Sequence, residues 1–260
     1  MWYSYQEPAR ASLRFDETLS CVLIIFGSFF KQDVALPHTR AETLKFKNIT
    51  VADLAFPKRD GGYSKGHRTR EQILHAALVI LVAEGYAAMT MRRVATACDM
   101  KLGNLTYHFP TREDLVRELL NAVITAYEIE FDKFLHLPGV SPEEKLAEIC
   151  GLILEDIRTE KTTRVFPELW ALSNHDEFVL ERVQDLYARA RAPLMQVIRE
   201  IRPDLSPQAV ADLALFISAS MEGLTIFAGN KKPFEPRMPQ LETIAIQSFV
   251  ETVRGYGQED

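Results

Sequence analysis

From about His67 to the C-terminus, apolar residues recur at helical spacing and nowhere at strand spacing, which restricts the chain to helix-on-helix packing. Ile73, Ala77, Ile80 and Leu81 fall at i, i+4, i+7 and i+8, one face of a helix that stops at Glu84 and Gly85. Thr90 is placed to cap a second, short helix that turns Val94, Ala97 and Cys98 inward. A brief turn at Asp99 and Met100 leads into a third helix, Lys101 to His108. Thr111 and Asp114 have capping-box spacing and open a long helix through Leu115, Leu119, Val123 and Tyr127. Ser141 before Pro142, Glu143 and Glu144, and Ser206 before Pro207, mark two further starts. Helices are predicted near 141–158, 160–173, 176–201, 206–228 and 238–254, with no internal repeat, so the fold class is all-α.

With 260 residues, 47% of them hydrophobic, the chain can bury one large core or two modest ones. The net charge of −6 argues against a protein that coats nucleic acid over its whole surface, but the charge is uneven. Residues 1–117 carry sixteen Lys and Arg against twelve Asp and Glu, and residues 118–260 carry fourteen against twenty-four. A basic front and an acidic back fit a chain that meets an anion at one end only. Cys21, Cys98 and Cys150 are far apart and odd in number, which suits a reducing cytoplasm and no disulfide framework. No apolar run reaches the roughly 20 residues of a membrane span. Leu19–Phe30 is the nearest, but Asp16 and Glu17 interrupt its basic flank and no clean cleavage site follows, so no leader is expected.

Three stretches follow from this texture. Residues 1–66 form an extension lacking helical period, ending in the turn-rich PKRDGGYSKG linker; residues 1–56 are expected to be dispensable. Residues 67–117 hold the three short helices, and residues 118–260 the longer ones.

The segment KLGNLTYHFPTRED, Lys101 to Asp114, places an unusual number of hydrogen-bonding groups on few residues. Two short helices joined by a tight turn, with a third packed before them, are the arrangement of a helix-turn-helix, here at about 90–109, whose second helix enters the DNA major groove. Leu105 and Phe109 are four apart and hold that helix to the core, which leaves Gly103, Asn104, Thr106, Tyr107 and His108 outward or flanking. Such groups bond phosphates and base edges, and Gly103 lets a backbone come close. Lys101 adds a charge at the entrance. His108 and Tyr107 have a plainer reading as packing residues, and Arg92 and Arg93 as a solvated face.

The span from about Arg68 to Leu119 resembles the DNA-binding domain of the TetR family of bacterial transcriptional regulators. The family pattern runs Thr-x-x-x-Ile-Ala-x-x-Ala-Gly-Val-Ser-x-Gly-x-Leu-Tyr-x-His/Tyr-Phe-x-Ser/Asn-Lys-Glu-x-Leu. This chain supplies Thr90, Val94, Ala95, Gly103, Leu105, His108, Phe109, Thr111, Glu113 and Leu115 at matching positions. Asp99 stands at the turn Gly, Lys101 at the Ser cap and Thr106 at a Tyr. The resemblance implies DNA contacts from Thr90, Arg92, Lys101, Gly103, Asn104, Thr106, Tyr107, His108 and Arg112, the last at the family's phosphate-contacting Lys. It also implies that the helical remainder is a ligand-binding and dimerisation domain.

In that remainder Phe166, Trp170, His175 and Phe178 cluster and, with Tyr127, are the candidate ligand pocket; an aromatic stripe at helical spacing is also what a plain core looks like. His175 beside Asp176 and Glu177 raises a metal reading, but no second ligand stands at i+4, so no metal is assigned. DLALFISASMEGLTIFAG, Asp212 to Gly229, is apolar on more than one face, with Ala219 and Gly223 four apart and permitting close approach. With Ile244, Ile246, Phe249 and Val250 it suggests a four-helix bundle across a two-fold axis, its interface drawn from Phe216, Ala219, Gly223, Ile246 and Phe249. A buried central helix in a monomer is the other reading.

No catalytic constellation, phosphate loop or paired-carboxylate motif is present, so no enzyme activity and no cofactor are expected. The expected protein is a cytoplasmic, homodimeric, ligand-responsive regulator. It binds a palindromic double-stranded operator and acts as a repressor released by a small molecule. A helical binding or catalytic protein with a non-functional reading head is the competing class, and a regulator tethered through Leu19–Phe30 is a third.

Overall fold

The computed structural model describes residues 53–56 and 64–258. Most of the expected extension, including Cys21 and Leu19–Phe30, and linker residues 57–63 lie outside the described residues. The described chain is all-α: α1 (Ser64–Glu84), α2 (Met91–Ala97), α3 (Leu102–His108), α4 (Arg112–Leu135), α5 (Pro142–Ile157), α6 (Glu160–Ser173), α7 (Glu177–Ile201), α8 (Pro207–Ala228), a 3-10 turn (Glu235–Arg237) and α9 (Met238–Gly255).

Local chemistry sets most of these boundaries. Thr111 Oγ1 accepts the Asp114 N–H at 3.0 Å, and Asp114 Oδ2 accepts the Thr111 N–H at 3.3 Å, so the capping box of α4 is closed. Ser141 and Glu144 form the same reciprocal pair at α5, and Ser206 accepts the Ala209 N–H at 3.2 Å at α8. Asp176, which invited a metal reading beside His175, caps α7 by accepting the Val179 N–H at 3.1 Å. Such caps contribute about 1 kcal/mol each. α1 begins at Ser64, a little before the expected start at His67.

Leu105 and Phe109 are completely buried and pin α3 beneath α1 and α2; burying side chains of this size stabilises by about 1.5–3 kcal/mol each. The inward face of α2 is centred between Val94 and Ala95, which leaves Ala97, expected inside, on the exposed side. Asp99 takes the turn with φ of 50°, the left-handed region that Asp tolerates better than most residues.

α4 runs through the expected boundary at 117/118. Its first half, at Leu115 and Leu119, supports the three short helices, and its second, at Ile124, Tyr127 and Phe131, enters the larger body. There α7 is the central helix, packed on α4, α5, α6 and α8, with α9 laid across α5 and α8. Gly229 closes α8 onto α6: a Cβ there would meet Thr225 O at 2.5 Å and Thr163 Oγ1 at 2.7 Å.

Upstream of α1, Leu54 is buried and the Ala55 N–H donates to Ala122 O at 3.0 Å. Phe56 meets the His75 ring edge-on at 5.7 Å. Packed chain therefore extends into the segment expected to be dispensable, because Leu54 finds apolar surface beside α4. Among the described residues, α8 has the length and composition to cross a membrane, and 39% of its apolar window is buried in the fold.

Candidate functional site

The head of the molecule presents α3 outward. Tyr107 is 83% exposed, Lys101 and Asn104 are exposed, and Gly103 has open space where a Cβ would stand. Thr106 is half-buried and its Oγ1 donates to Gly103 O at 3.2 Å, so its hydroxyl proton is spent locally. His108 sits edge-on to Tyr107 at 5.3 Å. Burial, and secondarily the Arg70 charge, lower its pKa and favour the neutral ring. On α2, Thr90 accepts the Arg93 N–H at 3.2 Å as the helix cap, and Arg92 is exposed with no ion pair among the described residues. Arg93 instead pairs with Glu84 through Nε at 3.2 Å and through Nη2.

Two arginines act inside the head. Arg112, expected at a phosphate, donates through Nε to Met89 O at 3.1 Å and through Nη2 to Tyr86 O, and lies 4.1 Å over the Tyr86 ring. Its guanidinium is committed to holding the α1–α2 loop on α4, because that loop's carbonyls have no helical partners. Arg70, which sequence reasoning passed over, donates to the His108 carbonyl, lies 4.2 Å over Phe109 and pairs with Glu118 at 3.2 Å. It fixes the C-terminal end of α3, and its only advance signal is a basic residue at the start of α1.

The head is joined to the body through α6. Glu168 Oε1 accepts the Tyr86 N–H at 2.7 Å, beside Gly85 with φ of +85°. A Cβ on Gly85 would come within 2.9 Å of that carboxylate, so the close approach requires glycine twice over. Arg164 donates to Val82 O at 3.1 Å. The opposite side of α6 carries Thr162 and Phe166 into an internal cavity.

That cavity lies among α4, α5, α6, α7 and α8 and is narrow, with about 40 Å³ of free space, room for a few waters at the roughly 10–15 Å³ that each requires. Of the five residues expected to form it, Tyr127 and Phe166 line it. Trp170 stands behind the wall, its Nε1 donating to the Tyr187 hydroxyl at 2.8 Å. His175 is exposed in the α6–α7 turn, and Phe178 packs under the Arg117 guanidinium at 5.6 Å. The cluster follows sequence proximity, whereas α6 ends at Ser173, and the next turns of chain face away.

The polar groups of the cavity went unread. Asp156 Oδ2 accepts from the Tyr127 and Thr162 hydroxyls, and Oδ1 lies 3.4 Å from Lys161 Nζ. Glu222 lies beside the Tyr187 hydroxyl, and its Oε2 is buried with no partner among the described residues. Glu222 had one signal: it is the lone acid between Leu213 and Ala228 of α8.

On the outer face of α8, Leu215, Phe216, Ile226 and Phe227 are each more than half exposed, and so is Ile244 of α9. Ala219 is exposed and Gly223 has open space at its Cβ position. Ile246 is half-buried near Gly151, and Phe249, expected at the interface, is buried in the core. Phe249 lies one turn beyond Ala245 on the side of α9 that packs on the body, so rotation of α9 hands the outer face to Ile244 instead.

A donor-rich recognition helix held on a three-helix head, carried by a helical body with an internal cavity, defines a helix-turn-helix DNA-binding regulator. Residues 73–119 match the family of bacterial regulatory proteins of the tetR type, and residues 142–249 match the C-terminal domain of BetI-type transcriptional repressors. An HTH-type transcriptional regulator from the dhlA 5′ region of Xanthobacter autotrophicus is 31% identical over 175 residues, covering 64% of this chain and 79% of that one. The HTH-type transcriptional repressor KstR of Rhodococcus jostii is 29% identical over 125 residues, 46% of this chain and 58% of KstR. Two solved structures share the fold. Salmonella enterica GusR has a TM-score of 0.60 at 18% identity, covering 72% of this chain and 96% of GusR. A transcriptional regulator from Saccharomonospora viridis in complex with choline has a TM-score of 0.58 at 22% identity, covering 70% and 96%. The chain belongs to the TetR family of transcriptional regulators; it is a DNA-binding protein and not an enzyme.

Proposed function

We propose that this regulator is a cytoplasmic homodimeric repressor whose grip on a palindromic operator is released when a small molecule enters the cavity. The observation that carries this reading is the double commitment of α6. One side of it lines the cavity through Thr162 and Phe166, and the other grips the head through Glu168 and Arg164. A cavity of about 40 Å³ admits no effector as it stands, so binding parts the surrounding helices. Pro167 lies inside α6 and Pro193 inside α7, each removing one backbone bond and easing the displacement of its helix, and of the two it is α6 that grips the head. Displacing it moves the head and spoils the spacing of two recognition helices over successive major grooves. A near-complete switch requires the effector to prefer the released state by about 5.5 kcal/mol.

Reading of DNA falls to Lys101, Asn104, Tyr107 and Arg92, with Gly103 permitting close approach, Thr90 offering its hydroxyl proton at the start of α2, and Thr106 and His108 flanking. Arg112 and Arg70 serve as internal struts. Dimerisation falls to the stripe of Phe216, Ala219, Gly223, Ile226 and Phe227, extended by Ile244; so many exposed large apolar side chains on one face are otherwise a liability. Binding-site selection from random duplexes tests the whole reading. It should return an inverted repeat bound by a dimer, with half-sites about one helical turn apart or a multiple of it. Recovery of no enriched sequence, or of a single half-site bound by a monomer, would reject it.

A further inference from the structure

We propose that the cavity takes an organic ammonium ion, with Glu222 as its charge partner inside the walls formed by Tyr127, Phe166 and Tyr187. The proposal rests on the reading above that the cavity is the effector site, and adds the chemical class of the effector.

Of the two acids on the cavity wall, buried Asp156 and half-buried Glu222, only the first is provided for. Asp156 receives two hydroxyl donors on one oxygen and Lys161 near the other. Glu222 has the Tyr187 hydroxyl beside it, that hydroxyl oriented by Trp170, while its Oε2 is buried with no donor among the described residues. A buried acceptor left without a partner is costly, and natural structures keep few of them without a functional reason. Ser218 lies one helical turn from Glu222 on the same wall, a second acceptor for an N–H. Aromatic faces attract cations through their quadrupoles, strongly once water is gone. With Lys161 balancing Asp156, an ionised Glu222 leaves one uncompensated negative charge, which a monocation cancels and a carboxylate ligand would double.

Burial pushes the Glu222 carboxyl up to about 7, with the Tyr187 hydroxyl acting the other way and Asp156 adding to the rise. The charged and titratable groups around it are Tyr127 on α4, Asp156 on α5, Lys161 on α6, and Tyr187 and Arg191 on α7. A cation and a proton therefore compete for Glu222. Ammonium affinity should fall about tenfold between pH 8 and pH 6, as the ionised fraction drops from about nine-tenths to about one-tenth.

The test is calorimetric titration of the full chain with phenethyl, cyclohexylmethyl and 3,3-dimethylbutyl skeletons, each as ammonium, alcohol and carboxylate, at pH 6 and pH 8. At least one ammonium should bind at least tenfold more tightly than its alcohol and carboxylate partners, and more tightly at pH 8. Glu222→Gln keeps the shape of the side chain and should abolish both the preference and its pH dependence, its folding checked by cooperative melting. Glu222→Asp should keep the preference at reduced affinity. Preference for an alcohol or carboxylate that also releases operator DNA overturns the cation assignment and leaves the effector reading intact. An ammonium that binds through Glu222 without releasing DNA upholds the assignment and overturns the effector reading. Binding of none of the nine overturns the assignment.

Discussion

The carboxylate of Glu168 on α6 accepts the main-chain N–H of Tyr86 at 2.7 Å, tying the loop of the DNA-reading head to a helix that also lines the internal cavity. If this bond transmits effector binding, Glu168→Ala should leave a dimer that binds operator yet releases it poorly. The ratio of operator affinities with and without effector should shrink by roughly 0.5–2 kcal/mol of coupling. Glu168→Gln retains an acceptor and should restore most of it. Equal release by wild type and Glu168→Ala would remove this bond from the mechanism.

Tyr107→Ala should weaken operator binding by about 1–3 kcal/mol if the ring or hydroxyl meets a base edge. Lys101→Ala should lower the dependence of binding on log salt by about one unit, the signature of one lost phosphate contact. Arg112→Ala should behave differently. Because its guanidinium holds Met89 and Tyr86 carbonyls, the loss should register as a lower melting temperature with the salt slope unchanged. A reduced slope at full thermal stability would return Arg112 to the phosphate.

Gly223→Glu places a charge on the α8 stripe, where the space beyond the Cβ position is open and the proposed dimer would place the partner. Sedimentation should show monomers or aggregates, and operator binding should fall with dimerisation. An uncompensated buried charge costs several kcal/mol. A dimer that tolerates the substitution would move the interface elsewhere.

Glu222 predicts a pH effect on stability. Its carboxyl stands near 7 in the folded chain against an ordinary 4.5, so the folded state binds the proton more tightly than the unfolded one. The stabilisation is complete below about pH 4.5 and is lost as the pH climbs through 7. Glu222→Gln should therefore gain stability over wild type at pH 8, on the order of 3 kcal/mol, and none at pH 4.5. Chemical denaturation at the two pH values measures it, and a parallel pair of curves would show that Glu222 is not held as described.

Leu54→Ala should cost about 2 kcal/mol, the lower end for truncating a buried leucine, because it sits at the margin of the core. Full stability in this variant would support the expectation that residues 1–56 are dispensable.

Helix order, helix caps and the reading head were legible in the primary structure because each rests on neighbours within four residues. A capping box, a left-handed turn at Asp99 and the pair Leu105 and Phe109 are local facts, and the TetR resemblance adds their roles. The periodicity of α8 likewise announced two apolar faces, and both exist, one buried and one open.

Where partners lie far apart in the chain, the primary structure was silent or misleading. Arg112, expected at a phosphate, holds the carbonyls of Tyr86 and Met89, twenty-six and twenty-three residues upstream, which no local pattern announces. His175 and Phe178 sit near Phe166 in order and away from the cavity in space, since the chain turns at Ser173. Phe249 and Ile244 exchange roles because only packing decides the rotation of α9. Asp156 and Glu222 are unremarkable acids until five helices close over them. Local bonding thus determined which helices form and what the head can touch. Burial, which depends on the whole assembly of helices, decided which charges are spent, which remain available, and that α6 touches both the head and the cavity.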